Sequence, residues 1–218
     1  MRQLPRQVRL AAVALASLAG YVDAVGFLVT GGYFVSFMSG NSTRLAVGLS
    51  AAAPQVVTLS TLPIAAFVLG VIASSLVARW ARDRRAAAVL GLVAALLTGA
   101  AIAGTGGMIL PAIGLAAAAM GAENALFERD GEVAVGLTYI TGALVKFGQG
   151  VAAHIGGQSR YAWMPYLALW TGLVAGAVAG ALGYARLGAG ALWIAAGAFT
   201  AATLIAFYGS QDQFAAPS

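Results

Sequence analysis

The chain has no cysteine and a single histidine, His154, among its 218 residues. The lack of cysteine excludes disulfides, thiolate metal sites and cysteine nucleophiles. No second histidine or acid stands at metal-ligand spacing from His154, so we expect neither a metal nor another cofactor. Charge is also scarce, since Asp, Glu, Lys and Arg together form 9% of the residues, against about a quarter in a soluble domain.

Apolar residues form 61% of the chain, and its mean hydropathy is +0.87. Runs of apolar residues recur, and each is long enough to cross a hydrocarbon core of roughly 30 Å as a helix of about 20 residues. The predicted spans are about 9–30, 56–79, 86–105, 108–127, 162–185 and 188–208. The composition therefore predicts an all-α membrane protein with six transmembrane helices.

Two further segments, 31–54 and 131–160, are apolar but interrupted by Gly, Ser, Thr and Asn. This composition is typical of broken or re-entrant helices. If both segments crossed the membrane, the basic loop 79–85 would lie on the opposite side from the Arg-rich N-terminus, against the positive-inside rule. Re-entrant segments instead place both basic clusters in the cytoplasm. We therefore expect six spans with both termini cytoplasmic.

The chain resembles itself when it is shifted by about 100 residues. An offset of 102 matches Ser36 with Thr138, Ser39 with Thr141, Gly40 with Gly142, Arg44 with Lys146 and Pro63 with Pro165, and an offset of 101 matches Gly20 with Gly121 and Asp23 with Asn124. The predicted repeats are residues 1–105 and 106–218 of a single membrane domain. Because each contains three spans, an odd number, the second repeat is inverted, which places a site near the bilayer midplane where the broken segments meet.

The broken segments supply the predicted binding site. In the first, we expect a new helix near Asn41, with Ser39 or Asn41 as its N-cap. A helix N-terminus inside a membrane attracts anions through its free N–H groups and its dipole. The predicted solute-binding residues are Ser36, Ser39, Gly40, Asn41, Arg44, Thr138, Thr141, Gly142 and Lys146. The alternative interpretation is a face of small residues for close helix packing.

Arg44 and Lys146 each follow a glycine by four residues. We expect them in the first turn of a helix, where a cation opposes the helix dipole and needs a partner. A charge inside a membrane segment is by default functional. The alternative is that both side chains extend to opposite interfaces and only anchor the segments.

Three polar residues of the first and fourth spans are candidates for proton or ion coupling. Asp23 lies inside the first span, where it could pair with Arg44 or carry a proton; a structural salt bridge is the alternative. Glu123 and Asn124 occupy the matching place in the fourth span. Glu123 is about one turn from the charged loop 128–130, so we expect it to be exposed at the interface.

Gly172, Gly176 and Gly180 place small residues at every fourth position. This spacing predicts a packing face, either within the bundle or between protomers of a homo-oligomer. No nucleophile elbow, phosphate loop or paired acids are visible, so an enzyme is not expected. Basic residues lie at the ends of apolar runs instead of among aromatics on one face, which argues against nucleic acid as a partner.

Residues 20–27 (GYVDAVGF) and 34–41 (FVSFMSGN) resemble the signature of the YoaK family of bacterial membrane proteins, a family of unknown function. Residues 123–125 and 138–142 are similar to that family too, but it more often has Gln where Glu123 stands, which leaves the role of Glu123 open. The resemblance spans nearly the whole chain. It implies a six-span protein of the bacterial inner membrane, without a known substrate.

Together these patterns favour a small secondary transporter or uniporter that lies in the lipid bilayer. Its expected solutes are small and polar, and they include anions. A passive channel on the same architecture is the first alternative. The second is a membrane scaffold or accessory protein that transports nothing, in which Arg44, Lys146 and Asp23 only hold the bundle together.

Overall fold

The computed structural model describes residues 5–129, 132–133, 140–157, 161 and 163–209. Its α-helices are α1 (Arg6–Thr30), α2 (Met38–Ser50), α3 (Pro54–Ala81), α4 (Arg85–Thr105), α5 (Ile109–Glu123), α6 (Ile140–Ile155), α7 (Met164–Leu187) and α8 (Leu192–Tyr208). Short 3-10 turns cover Arg82–Arg84, Asn124–Phe127 and Gly188–Ala191. The strands β1 (Glu128–Arg129) and β2 (Glu132–Val133) form a small antiparallel ladder that the sequence did not indicate. The prediction of an otherwise all-helical protein is confirmed.

Four helical stretches of the described residues are long and apolar enough to cross a membrane: Arg6–Thr30, Pro54–Thr105, Ile109–Leu126 and Met164–Tyr208. The second contains α3 and α4, and the fourth contains α7 and α8. The chain turns between these helices at Arg82 and Gly188, whose φ angles are 41° and 55°. Because α5 packs against both α3 and α4, α4 must fold back beside α3. Each predicted span thus overlaps one α-helix.

Helices α2 and α6 are not among these four stretches. Helix α2 has 13 residues, which at 1.5 Å per residue gives about 20 Å, less than a core of roughly 30 Å. The described part of α6 has 16 residues, and α5, with 15, is continued to Leu126 by a 3-10 turn. In the first broken segment, Gly31 ends α1 in a left-handed conformation with φ 67°, and a non-helical stretch, residues 31–37, leads into α2. These elements correspond to the broken segments predicted from the sequence.

Helix α2 begins at Met38, with Phe37 as its N-cap and no side-chain capping hydrogen bond. The expected start near Asn41, with Ser39 or Asn41 as the cap, is therefore wrong. The Phe37 carbonyl already accepts hydrogen bonds from the N–H groups of Gly40 and Asn41, which brings the helix start forward by three residues. Gly40 and Gly142 are the third residues of α2 and α6, so both lie inside a helix.

Helices α1 and α7 pack so closely that their main chains touch. A Cβ atom at Gly172, Gly176 or Gly180 would meet the main-chain carbonyl of Val13, Ser17 or Tyr21, respectively. Both series advance by four residues in the same direction, so α1 and α7 run parallel. The glycine face is therefore filled by α1 of the same chain, as expected of a small-residue face. Of the two roles that the spacing predicts, packing within the bundle is the one that the structure shows.

Helices α3 and α5 make a second close crossing. A Cβ at Gly70 of α3 would collide with the carbonyl of Ala118, and one at Gly121 of α5 with the carbonyl of Phe67. Helix α4 packs against α5 and α8. Since α1 lies on α7 and α3 on α5, helices of residues 1–105 alternate with helices of residues 106–218 in one bundle.

The interior and the exterior of the bundle are both apolar. Leu97, Met120 and Phe199 are among the large side chains that are completely buried. On the outside, Leu69 and Ile205 expose more than half of their surface. An apolar exterior is unfavourable in water and is suited to contact with lipid tails.

Candidate functional site

The first residues of α2 and α6 meet across a cavity of about 320 Å³, here called the inter-helix cavity. Its lining residues are Ser36, Phe37, Met38, Ser39, Phe67, Ile140, Thr141 and Gly142. Four of the predicted solute-binding residues, Ser36, Ser39, Thr141 and Gly142, are therefore brought together. The volume lies at the lower end of the range for small-molecule pockets, about 300–1,000 Å³.

The polar groups of the inter-helix cavity come from two helix starts. The first N–H groups of a helix have no partner within the helix, and the helix dipole places positive potential at that end. The hydroxyls of Ser39 and Thr141, both on exposed residues, add donors and acceptors. Phe67 of α3 and Ile140 of α6 supply apolar wall. The arrangement can hydrogen-bond the polar end of a small solute while an apolar part of it packs on the wall.

Asp23 of α1 holds the chain that enters α2. Its Oδ1 atom accepts hydrogen bonds from the N–H groups of Val35 and Ser36, both at 2.8 Å. Successive main-chain N–H groups that converge in this way form a concave anion site. In this protein the Asp23 carboxyl group occupies that position.

Asn41 fixes the same segment from the other side. It is completely buried, its Oδ1 accepts from the Phe34 N–H at 3.0 Å, and its Nδ2 donates to the Phe34 carbonyl at 2.6 Å. Its amide therefore pairs with the main chain as a neighbouring strand would. Gly40 is packed closely as well, since a Cβ there would lie 2.6 Å from the Phe37 ring. Neither Asn41 nor Gly40 is among the residues that line the inter-helix cavity.

Arg44 and Lys146 lie away from the inter-helix cavity. The guanidinium carbon of Arg44 is 4.9 Å from the centroid of the Tyr33 ring, and the Lys146 Nζ is 5.6 Å from that of Tyr166. Each is the seventh residue of its helix, so it lies in the second turn and opposes the dipole less than predicted. The predicted pairing of Asp23 with Arg44 is wrong. Main-chain N–H groups donate hydrogen bonds to Asp23, and the Arg44 guanidinium lies over the Tyr33 ring.

Glu123, at the end of α5, is completely buried. Within the described residues neither of its carboxylate oxygens has a hydrogen-bond partner. The expected exposure at the interface is wrong, because α1, α3 and α4 all pack against α5. The neighbouring Asn124 is also buried, and its Nδ2 donates to the Met120 carbonyl at 2.9 Å.

The second broken segment is described only in part. Thr138 lies outside the described residues, as do the rest of 134–139 and 158–160. Gly142 differs from its counterpart Gly40, because a Cβ built on it would have no atom within 4 Å. A side chain at Gly142 therefore meets no other atom of the described residues. It faces open space beside the inter-helix cavity.

Two further features are not visible in the sequence pattern. Phe67 forms part of the cavity wall although it belongs to a different predicted span. A separate apolar groove of about 320 Å³ lies between α1 and α7, and Asp23 and Phe34 contribute to its lining. In the part of the chain that the structure describes, no three His, Cys, Asp or Glu residues are grouped so as to hold a metal ion.

Comparison with known proteins places the chain in a family. A family model described as "Protein of unknown function (DUF1275)" matches residues 11–205. A UPF0700 transmembrane protein of Rhizobium meliloti (strain 1021) is 41% identical over 198 residues, which are 89% of this chain and 84% of that protein. No solved structure matches the chain.

Proposed function

The chain belongs to the DUF1275 family, which includes the YoaK family that its motifs resemble, and we propose that this membrane protein is a small secondary transporter or uniporter of a small polar solute. The observation that carries the proposal is the inter-helix cavity, where the starts of α2 and α6 face each other. Pockets between helices that combine apolar wall with a few polar groups are the usual form of a small-molecule site.

An inverted repeat is the proposed basis of this site. Gly40 and Gly142, which are 102 residues apart, hold the same position in α2 and α6. The first long helix of each half packs on the second long helix of the other half, since α1 lies on α7 and α5 on α3. A two-fold exchange of the halves would produce this pairing. In transporters with such repeats, the substrate binds where the interrupted helices of the two halves meet.

The proposed solute is small and has a short apolar part. Neither Arg44 nor Lys146 lines the inter-helix cavity, so any preference for an anion would come from the helix N-termini. The hydroxyls of Ser39 and Thr141 suit hydroxyl, carbonyl or carboxylate groups equally. Phe67 and Ile140 favour a solute that carries at least one or two carbon atoms.

Filling the inter-helix cavity tests the proposal. Gly142→Leu adds a side chain beside the cavity, and nothing within 4 Å of its Cβ opposes it. Gly148→Leu is the matched control, because Gly148 lies on the same helix with equally open surroundings and does not line the cavity. Uptake of labelled acetate, lactate, glycine, glycerol and inorganic phosphate would be measured in proteoliposomes.

We expect uptake of at least one of these solutes by the parent and by Gly148→Leu. In Gly142→Leu, uptake should fall by about tenfold or more, which corresponds to about 1.4 kcal/mol of lost interaction. Saturation and counterflow of the accumulated solute would distinguish a transporter from a passive channel, which shows neither. If the parent takes up none of the solutes, or if the two variants behave alike, the scaffold interpretation becomes the better one.

A further inference from the structure

Glu123 is the buried charged group that the proposed solute site leaves without a role. It is completely buried at the end of α5, and its two carboxylate oxygens accept no hydrogen bond within the described residues. It lines neither the inter-helix cavity nor the groove between α1 and α7. A carboxylate in such surroundings needs a partner of some kind.

The titratable and charged groups of the neighbouring elements are engaged elsewhere or exposed. On α1, the Tyr21 hydroxyl donates to the Ala191 carbonyl at 3.0 Å, and Asp23 accepts from main-chain N–H groups. On α4, Arg85 Nη2 donates to the Ala125 carbonyl at 2.8 Å. The remaining charged residues of α1, α3 and the turn after it are Arg6, Arg79, Arg82, Asp83 and Arg84, which are exposed, and Arg9, which is partly exposed. None of these described contacts gives Glu123 a cation.

Asp23, the other acid inside a span, is satisfied in a different way. Main-chain N–H groups of the segment that enters α2 donate to its Oδ1 atom, so this acid has the hydrogen-bond partners that Glu123 lacks among the described residues. A proton on Asp23 would compete with these hydrogen bonds, whereas a proton on Glu123 displaces no described contact.

We propose that Glu123 is the proton-binding group of this protein and that it gains and loses a proton during the transport cycle. Bound, the proton sits on one carboxyl oxygen and makes the side chain neutral; released, it passes to water and leaves a carboxylate. This inference rests on the proposed transport function for its role. The proton itself can be detected without any solute.

Infrared spectroscopy of the purified protein in detergent at neutral pH tests this proposal. A protonated carboxylic acid has a C=O stretching band that an ionised carboxylate lacks, and transfer into D₂O shifts this band when the proton exchanges with water. We expect the band in the parent, its loss in Glu123→Gln, and its retention in Asp23→Asn. Gln is nearly the same size as Glu and is neutral, so the variant should fold.

Three results would overturn the inference. They are a parent without the band, a band of equal size in Glu123→Gln, and a band that D₂O does not shift. Because the infrared measurement needs no solute, its failure is separate from a failure to find uptake.

A solute identified by the uptake assay adds a second test. Entry of this solute should acidify or alkalinise vesicles that contain a pH-sensitive dye, and Glu123→Gln should abolish that pH change. Unchanged dye signals in this variant would also contradict the proposal.

Discussion

Gly176 offers a direct test of the close packing between α1 and α7. A Cβ at this position would collide with the main-chain carbonyl oxygen of Ser17, and a carbonyl in the middle of a helix cannot rotate away. Gly176→Ala can therefore be accommodated only if α1 and α7 move apart. Separation of the helices would weaken all the contacts along the crossing, including the contacts made by Gly172 and Gly180.

The magnitude follows from a comparison with Gly197, which lies in α8 with no atom within 4 Å of a built Cβ. Ala is more favourable than Gly in a helix interior by about 0.8–1.0 kcal/mol, and both substitutions gain this amount. Overpacking costs about 1–3 kcal/mol and is added only at Gly176. The free energies of unfolding of the two variants should therefore differ by about 1–3 kcal/mol, with Gly197→Ala at least as stable as the parent.

Thermal unfolding in detergent, followed by the fluorescence of the four tryptophans, would measure this difference. For a chain of this size, 1 kcal/mol corresponds to about 2–4 °C in the midpoint. If Gly176→Ala and Gly197→Ala stabilise the protein equally, α1 and α7 are not in main-chain contact, and the argument for their parallel crossing fails.

Three further predictions concern the first broken segment and the topology. Asn41→Ala removes both hydrogen bonds to the main chain before α2 and should lower the free energy of unfolding by about 1–3 kcal/mol, measured by thermal unfolding; an unchanged midpoint would contradict this role. Because Asp23 and Arg44 have separate partners, the losses of unfolding free energy in Asp23→Asn and Arg44→Gln should add to within about 0.5 kcal/mol in the double variant. A double variant that is more stable than this sum would show that the two residues pair after all. In intact cells, an impermeant thiol reagent should label Gly106→Cys but not Asp83→Cys, because the exposed arginines around position 83 favour the cytoplasm; labelling at 83 would refute the proposed six-span topology.

The long helices could be predicted from the sequence because apolar runs of sufficient length have few other structures available in a membrane. The repeat also pointed to Ser36, Ser39, Thr141 and Gly142, which the structure brings into one cavity. These predictions depend on local composition or on internal similarity. Both are visible along the chain.

The errors share a different cause. The start of α2 was misplaced because Asn has a side chain that caps helices well. In the structure, the Asn41 side chain instead accepts a hydrogen bond from the main-chain N–H of Phe34, seven residues earlier. Exposure of Glu123 was expected from its distance to the charged loop, whereas its burial depends on helices from other parts of the chain that pack against α5. Asp23 was given Arg44 as a partner because main-chain N–H groups do not show in a sequence pattern.

The parallel contact of α1 with α7 also bears on how the protein is made. Ser17 and Gly176, which touch, are 159 residues apart in the chain. During synthesis α1 enters the membrane early, but its closest neighbour emerges only in the last quarter of the chain. Contacts of such long range form late and slowly. Until α7 is in place, the face of the newly inserted α1 that carries Ser17 must therefore lie against lipid or another protein.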